Sequence, residues 1–237
     1  MIYQGSKARF AKYIVPIINK IIEDNKIDTF IDACAGGCNI IANKHIPIQA
    51  EKKIAYDKNK YLIALLNKFK HDIPNFIEIS ADEYKNVRIC KDSYEDWYVG
   101  YVGFFATYGG GFFTGYGRES NGKSRVAKCY RSIMRQQKYF TGIHFQQKDL
   151  FDLDTTDALI YFDPPYSGKR YYTTKHFDNQ KFWDKAKELS KNNIVLVSEQ
   201  TLPENIDYEI LFNKATTTMW NQKDCTVRRE YLIRLNP

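Results

Sequence analysis

The residues best placed to do chemistry in this 237-residue chain are Asp163-Pro164-Pro165-Tyr166. They directly follow Ala158-Leu159-Ile160-Tyr161-Phe162, an apolar run with the length and composition of a buried parallel strand. Open α/β sheets bind their ligands at the carboxyl ends of strands. Two consecutive prolines fix φ and remove two backbone donors, so the carbonyls beside them are held out as acceptors. A carboxylate, rigid carbonyls and an aromatic ring therefore meet in one corner. Such a corner suits a planar group bearing an NH2: two acceptors for its hydrogens and a π face for its ring.

Four further segments can serve that corner. Asp32-Ala33-Cys34-Ala35-Gly36-Gly37-Cys38 follows a short buried strand at 28–33 and reads as a tight turn before a short helix from about Asn39. Glycine has no Cβ, so backbone there can approach a ligand closely. Asp57 ends a second strand at 53–57, the place for a carboxylate that accepts hydrogen bonds from two ribose hydroxyls; its alternative use is to cap the helix from Asn59. Asp149 ends a third strand that begins at 143. At the amino terminus, Tyr3 offers an aromatic wall, and Lys7 a cation for a ligand carboxylate or for the Asp163 region.

The elements that position these groups follow from hydrophobic period. Residues 8–23 and 59–69 carry apolar positions at helical spacing. Strand, glycine turn, helix, strand and acid form the doubly wound nucleotide-binding arrangement. From about His71 the texture changes to helical patterns of mixed charge. A Gly-rich aromatic loop or tight hairpin follows at 108–118, then basic residues from Lys123 to Lys138, several of them at steps of three and four. Sheet texture returns at 143–147 and 158–162, a helix at about 182–189, and strands at 194–198, 208–212 and 229–235. The last two suit a closing antiparallel pair.

Composition sets the outer bounds. At 43% hydrophobic the chain can bury a core, and 35 Lys and Arg against 28 Asp and Glu give a net charge of +7. A basic surplus is compatible with a polyanionic partner, because Lys and Arg displace condensed counterions from phosphate. The 18 tyrosines suit base stacking and equally suit an AT-biased coding sequence. The five cysteines are scattered and match neither a disulfide framework nor paired zinc half-sites. No run approaches the ~20 apolar residues that span a bilayer, and the start lacks the apolar segment of a signal peptide. The expectation is a cytoplasmic, reduced protein with no metal and no membrane association.

Taken together, these residues resemble the Dam-like (class α) DNA N6-adenine methyltransferases. Asp163-Pro164-Pro165-Tyr166 is similar to the catalytic motif of amino-methyltransferases. The turn from Asp32 is similar to their S-adenosylmethionine-binding acid-x-Phe-x-Gly-x-Gly, with Cys34 in place of Phe and Cys38 in place of the second Gly. Tyr3-Gln4-Gly5-Ser6-Lys7 is similar to aromatic-x-Gly-Gly-Lys. The order of cofactor turn, long insert and Asp-Pro-Pro-Tyr is that of class α. Residues 1–66 and 142–199 carry the resemblance, with 229–232 similar to the closing strand.

The resemblance implies an α/β fold: a Rossmann-like methyltransferase sheet formed by 1–67 and 142–237, with a mainly helical target-recognition insert at 68–141. It implies that Tyr3, Lys7, Asp32, Ala33, Cys34, Gly36, Asp57, Asp149, Leu150 and Asp163 hold S-adenosylmethionine. Asp163 and Pro164 would polarise the amine beside Pro165, and Tyr166 would stack on a base flipped out of double-stranded DNA. Restriction–modification is among the settings implied. The DNA contacts expected in the insert are Tyr108, Phe112, Phe113, Tyr116, Arg118, Lys123, Arg125, Lys128, Arg131 and Arg135. The enzyme is expected as a monomer. The rival acceptors are an RNA base, cytosine in DNA, and a protein glutamine, against which Asp163 counts because those enzymes carry Asn there. A non-catalytic DNA-binding relic of the fold is the rival from another class.

Overall fold

The computed structural model describes residues 1–118, 125–165, 177–221 and 224–237, with backbone alone for 216–221 and 224–228. The apolar runs become five parallel strands: β1 (Thr29–Asp32), β2 (Lys52–Asp57), β3 (Ile143–Gln147), β4 (Ala158–Phe162) and β5 (Ile194–Glu199). Every residue of β4 is buried, because β4 lies mid-sheet with a packed layer on each side. Its side chains alternate: Leu159 and Tyr161 join one layer; Ala158, Ile160 and Phe162 join the other.

The sheet order is β3-β2-β1-β4-β5-β7-β6, closed by the antiparallel pair β6 (Tyr208–Asn221) and β7 (Asp224–Leu235). The chain winds outward from β1 through β2 to β3, then restarts at β4 on the other flank of β1. The order therefore reverses between β1 and β4, and the crevice at their carboxyl ends is the switch point at which such sheets bind ligands. This is the doubly wound α/β fold expected from the sequence.

Helices cover both faces. On one, α1 (Ala11–Asn25) buries Ile14, Val15, Ile18, Ile21 and Ile22 at steps of three and four. Toward β2 and β3, in the same apolar cluster, lies α2 (Lys60–His71), capped by Asn59, whose side chain accepts from the amides of Tyr61 and Leu62. Between α2 and β3 come α3 (Ala81–Ile89), α4 (Asp96–Phe105) and α5 (Arg125–Gln136). The last seven residues of α4 are all buried. Gly100 lets α4 press onto α2, since a Cβ there would stand 2.2 Å from the Tyr61 carbonyl oxygen. These helices continue the apolar core of α1 and α2. On the opposite face, α6 (Asn179–Ser190) packs Phe182, Ala186 and Leu189 against β4 and β5.

Two elements differ from expectation. The helix expected from Asn39 is a series of turns. Asn43 Oδ1 accepts from the amides of His45 and Ile46, and its Nδ2 donates to the Asn39 carbonyl. Side-chain capture of these groups competes with helix continuation. The closing strands are also far longer than 208–212 and 229–235, at 14 and 12 residues. Polar residues on a two-stranded ribbon leave no apolar alternation to extend the reading. No helix among the described residues is long and apolar enough to cross a membrane.

Candidate active site

The strand register brings three acids to the switch point, with Asp57 and Asp163 each two residues further along their strands than the partners of Asp32. Asp32 ends β1, Asp57 ends β2, and Asp163 is the first residue after β4; Asp32 lies opposite Ala55 on one side and Tyr161 on the other. They border a cavity of about 780 Å³. All ten residues expected to hold a cofactor line it: Tyr3, Lys7, Asp32, Ala33, Cys34, Gly36, Asp57, Asp149, Leu150 and Asp163. Pro165 lines it as well, while Pro164 is buried and is not among the lining residues. Tyr166 and Lys123 lie outside the described residues.

The glycine turn joins these groups. Gly36 adopts φ +48°, and its amide donates to Asp57 Oδ2 at 3.0 Å. The Asn59 amide donates to Asp57 Oδ1 at 2.9 Å. Asp57 thus ties two loops together, and Asn59 rather than Asp57 caps α2. Tyr3 lies against the turn so closely that a Cβ on Gly36 would meet its ring at 2.7 Å. Cys38, where the resembled motif has glycine, adopts φ 55° and is fully buried.

Burial dominates the electrostatics. Asp32 is 2% exposed, and its Oδ1 has no hydrogen-bond partner among the described residues. Burial, and then the nearby charge of Asp163, push its carboxyl up to about 8. Burial also raises Asp57, opposed by the two amides it accepts. Asp149 behaves differently. Burial opposes its charge, but Lys58 at 2.8 Å and the Phe151 amide hold it below the usual carboxylate range. Lys7 is 4% exposed, with Nζ 2.5 Å from Asp163 Oδ1 and 3.3 Å from Glu230 Oε1. Burial would lower its pKa; the two carboxylates outweigh burial and raise it. Burial raises the thiols of Cys34 and Cys38 well above their ordinary range, so neither is a ready nucleophile.

Two acids of this cluster escape the sequence reading. Glu230, on β7, is 3% exposed. Glu199 ends β5 and is 6% exposed, with its carboxyl pushed up to about 7 by burial. For Glu199 the signal is there to find: it closes an apolar strand just as Asp57 does.

The expected DNA contacts are spread out. Tyr108 is 74% exposed. Phe112 lines the cavity and stacks on Tyr61, with ring centroids 5.4 Å apart. Phe113 is buried against Tyr84 and Phe112, and Tyr116 donates to the Ile79 carbonyl at 2.8 Å. The aromatic loop thus folds inward, because burying large rings outweighs leaving them in water. Arg118 is exposed above the Tyr116 ring. On α5, Lys128, Arg131 and Arg135 are exposed and Arg125 is half-buried. A second cavity of about 810 Å³ collects Lys128, Arg131 and Arg135 with Arg9, Lys44 and His45.

The cavity offers a set of acceptors to a ligand rich in hydrogen-bond donors. A buried carboxylate oxygen without a donor, at Asp32, calls for an ammonium or hydroxyl group. Asp57 and Asp149 add acceptors at two further strand ends, and the ring of Tyr3 supplies a flat wall.

A family model described as D12 class N6 adenine-specific DNA methyltransferase matches residues 3–96 and 92–202. None of the curated proteins searched matches the chain by sequence. Among solved structures, the chain is similar in shape to PH1948 from Pyrococcus horikoshii, a protein provisionally described as an RNA methyltransferase. That similarity has 10% identity and a TM-score of 0.44, and covers 95% of this chain and 81% of the other.

Proposed function

Because the chain belongs to the D12 class of N6 adenine-specific DNA methyltransferases, we propose that it transfers a methyl group from S-adenosylmethionine to the N6 amine of an adenine flipped out of double-stranded DNA. The observation that carries this reading is the convergence of Asp32, Asp57 and Asp163 on one cavity at the switch point, with Lys7 fixed on Asp163. Residues 68–141 would serve as the target-recognition insert, and the enzyme would work beside DNA in the cytoplasm of a bacterial or phage-infected cell.

When bound, S-adenosylmethionine supplies a methyl group on a sulfonium centre. Asp57 accepts one amide on each oxygen and retains acceptor capacity that suits two ribose hydroxyls. Asp32 suits the ammonium of the amino-acid tail. Asp149 suits an exocyclic amine, with Leu150 against the adenine ring.

The acceptor amine is a weak nucleophile, because its lone pair is delocalised into the purine. Asp163 and the Pro164 carbonyl accept its two hydrogens, which favours a pyramidal nitrogen with its lone pair turned outward. Lys7 holds Asp163 by Oδ1 and so fixes the plane of the carboxylate. As the new N–C bond would form and the S–C bond break, leaving a neutral thioether, the Asp163 carboxylate stabilises the positive charge on the amine nitrogen, which then loses one proton to solvent. Positioning supplies the rest of the acceleration, and no covalent enzyme intermediate is required. Flipping the base costs a few kcal/mol, which Tyr166 would offset in part by stacking.

Incubation with methyl-labelled donor and, separately, double-stranded DNA, ribosomal RNA and protein tests the reading. Label is expected in DNA, at adenine N6. Label in RNA or in cytosine would reassign the acceptor. A chain that binds DNA but no methyl donor would be a non-catalytic relic.

A further inference from the structure

We propose that the β6–β7 hairpin is a DNA-contacting arm whose root is tied to the catalytic acid. The inference rests on the reading of double-stranded DNA as substrate. β5 pairs with β7 through residues 231–234, and its last residue, Glu199, lies opposite Tyr231. The β6–β7 ladder continues well past that point, from Asn213 opposite Tyr231 to Asn221 opposite Asp224. Because β7 runs antiparallel to β5, residues 224–230 lie beyond the carboxyl edge of the sheet. That is the edge at which the cavity of Asp32, Asp57 and Asp163 opens. Seven residues at ~3.3 Å each carry the ribbon roughly 20 Å outward.

Among the described residues no third strand pairs with this extension. Asn213, Lys214, Ala215 and Arg229 at its root are already exposed. An isolated two-stranded ribbon is at best marginally stable in water, so an arm of this length gains from a partner. Its composition names the partner. Residues 213–221 and 224–229 include three basic residues (Lys214, Arg228 and Arg229) against a single acid, Asp224, and four threonines. Cations and hydroxyl donors suit phosphates, and the major groove of DNA admits a two-stranded ribbon.

The root is held in place. Lys214 donates to the Tyr13 hydroxyl at 2.7 Å and lies over that ring. Arg229 Nη1 donates to Asn213 Oδ1 across the pair at 2.6 Å. Glu230, next in β7, meets Lys7, which meets Asp163. A duplex gripped by the ribbon is thereby kept in a set position relative to the acid that would receive the flipped base.

The test is a variant carrying Lys214→Gln, Arg228→Gln and Arg229→Gln; Lys214 and Arg229 are not among the residues that line the cavity. DNA affinity by fluorescence anisotropy is expected to fall about tenfold at 0.1 M salt. The slope of log K against log salt is expected to shrink by about 2 to 3, since each phosphate no longer neutralised removes ~0.9 from it. Donor affinity by calorimetry is expected to stay unchanged, which shows that the variant is folded. A charge-preserving variant, Lys214→Arg with Arg228→Lys and Arg229→Lys, is expected to keep the wild-type slope. An unchanged slope in the neutral variant overturns the proposal. So does a neutral variant whose one defect is loss of a dimer in sedimentation, which would make the ribbon a contact between copies. A wild-type chain that binds no DNA at low salt overturns both this inference and the reading beneath it.

Discussion

Lys7 is 4% exposed and touches two carboxylates, whereas Arg131 and Arg135 stand in solvent on α5. The two regions use charge in opposite ways. At the strand ends the ionisable groups are buried and Lys7 is shared between two carboxylates, so each acts in a medium that screens poorly. Removing one strands its neighbour. On the basic surfaces, the charges are many and wet, and salt screens each beyond about 10 Å. Methyl transfer should therefore hinge on single residues, and DNA affinity on sums.

The largest effect is expected at Asp163. Asp163→Ala removes the proposed acceptor for the amine and should lower methyl transfer on the order of a thousand-fold or more, while calorimetry still detects donor binding. An active variant would contradict the mechanism. Lys7→Gln comes next. It leaves Asp163 and Glu230 without the cation that both contact, and breaking a buried pair costs about 3–5 kcal/mol. Chemical denaturation would read that loss; a change below about 1 kcal/mol would mean that Lys7 acts like a surface charge. The raised pKa of Lys7 adds a sign. Its contribution is complete below the unfolded value of about 10.4 and is lost as pH climbs through the still higher folded value.

The same contrast explains what is legible in the sequence. Asp32, Asp57 and Asp163 each close an apolar strand, and parallel strands in register bring their ends together, so local pattern is enough. Asp149 follows by the same logic. Glu230 does not announce itself as part of the site, because its partner Lys7 lies 223 positions earlier and comes near only when β7 enters the sheet. The aromatic loop reads as an outward surface, yet Phe112 and Phe113 face the protein. Composition gives a ring's appetite for burial but not which surface satisfies it. The turns after Gly37 read wrongly as a helix start, since nothing in the spacing announces that Asn43 will capture the amides of His45 and Ile46.

Two intermediate effects sharpen the comparison within the acid cluster. Asp57→Ala should weaken donor binding some tens-fold, on the scale of a charge-assisted hydrogen bond of about 1.5–3 kcal/mol; unchanged calorimetric affinity would remove its proposed ribose role. Asp32→Asn separates binding from folding. The carboxyl of Asp32 rises from 3.8 to about 8 on folding. The folded state thus holds that proton more firmly than the unfolded chain. Stability from this group is complete below pH 3.8 and is lost as pH rises through 8. The amide cannot ionise and is spared this loss. Without donor, Asp32→Asn should melt a few degrees above wild type at about pH 9 and level with it at about pH 4. A pH-independent difference would mean that Asp32 is better solvated than its burial indicates.

The smallest single-residue effects belong to the basic surface. Arg118 and Arg131 are exposed and Arg125 is half-buried, so each alone should change DNA affinity by about two- to threefold, within the range of an exposed ion pair. Neutralised together, they should lower affinity roughly tenfold and shrink the salt slope by about 2 to 3, with the melting temperature nearly unchanged. If one of the three carried the whole loss, that residue would be reading a base edge rather than a phosphate. A bidentate arginine–guanine contact is worth about 1–3 kcal/mol by itself. The contrast between concentrated and distributed charge would then fail at that position, and sequence preference would relax there while the salt slope stayed put.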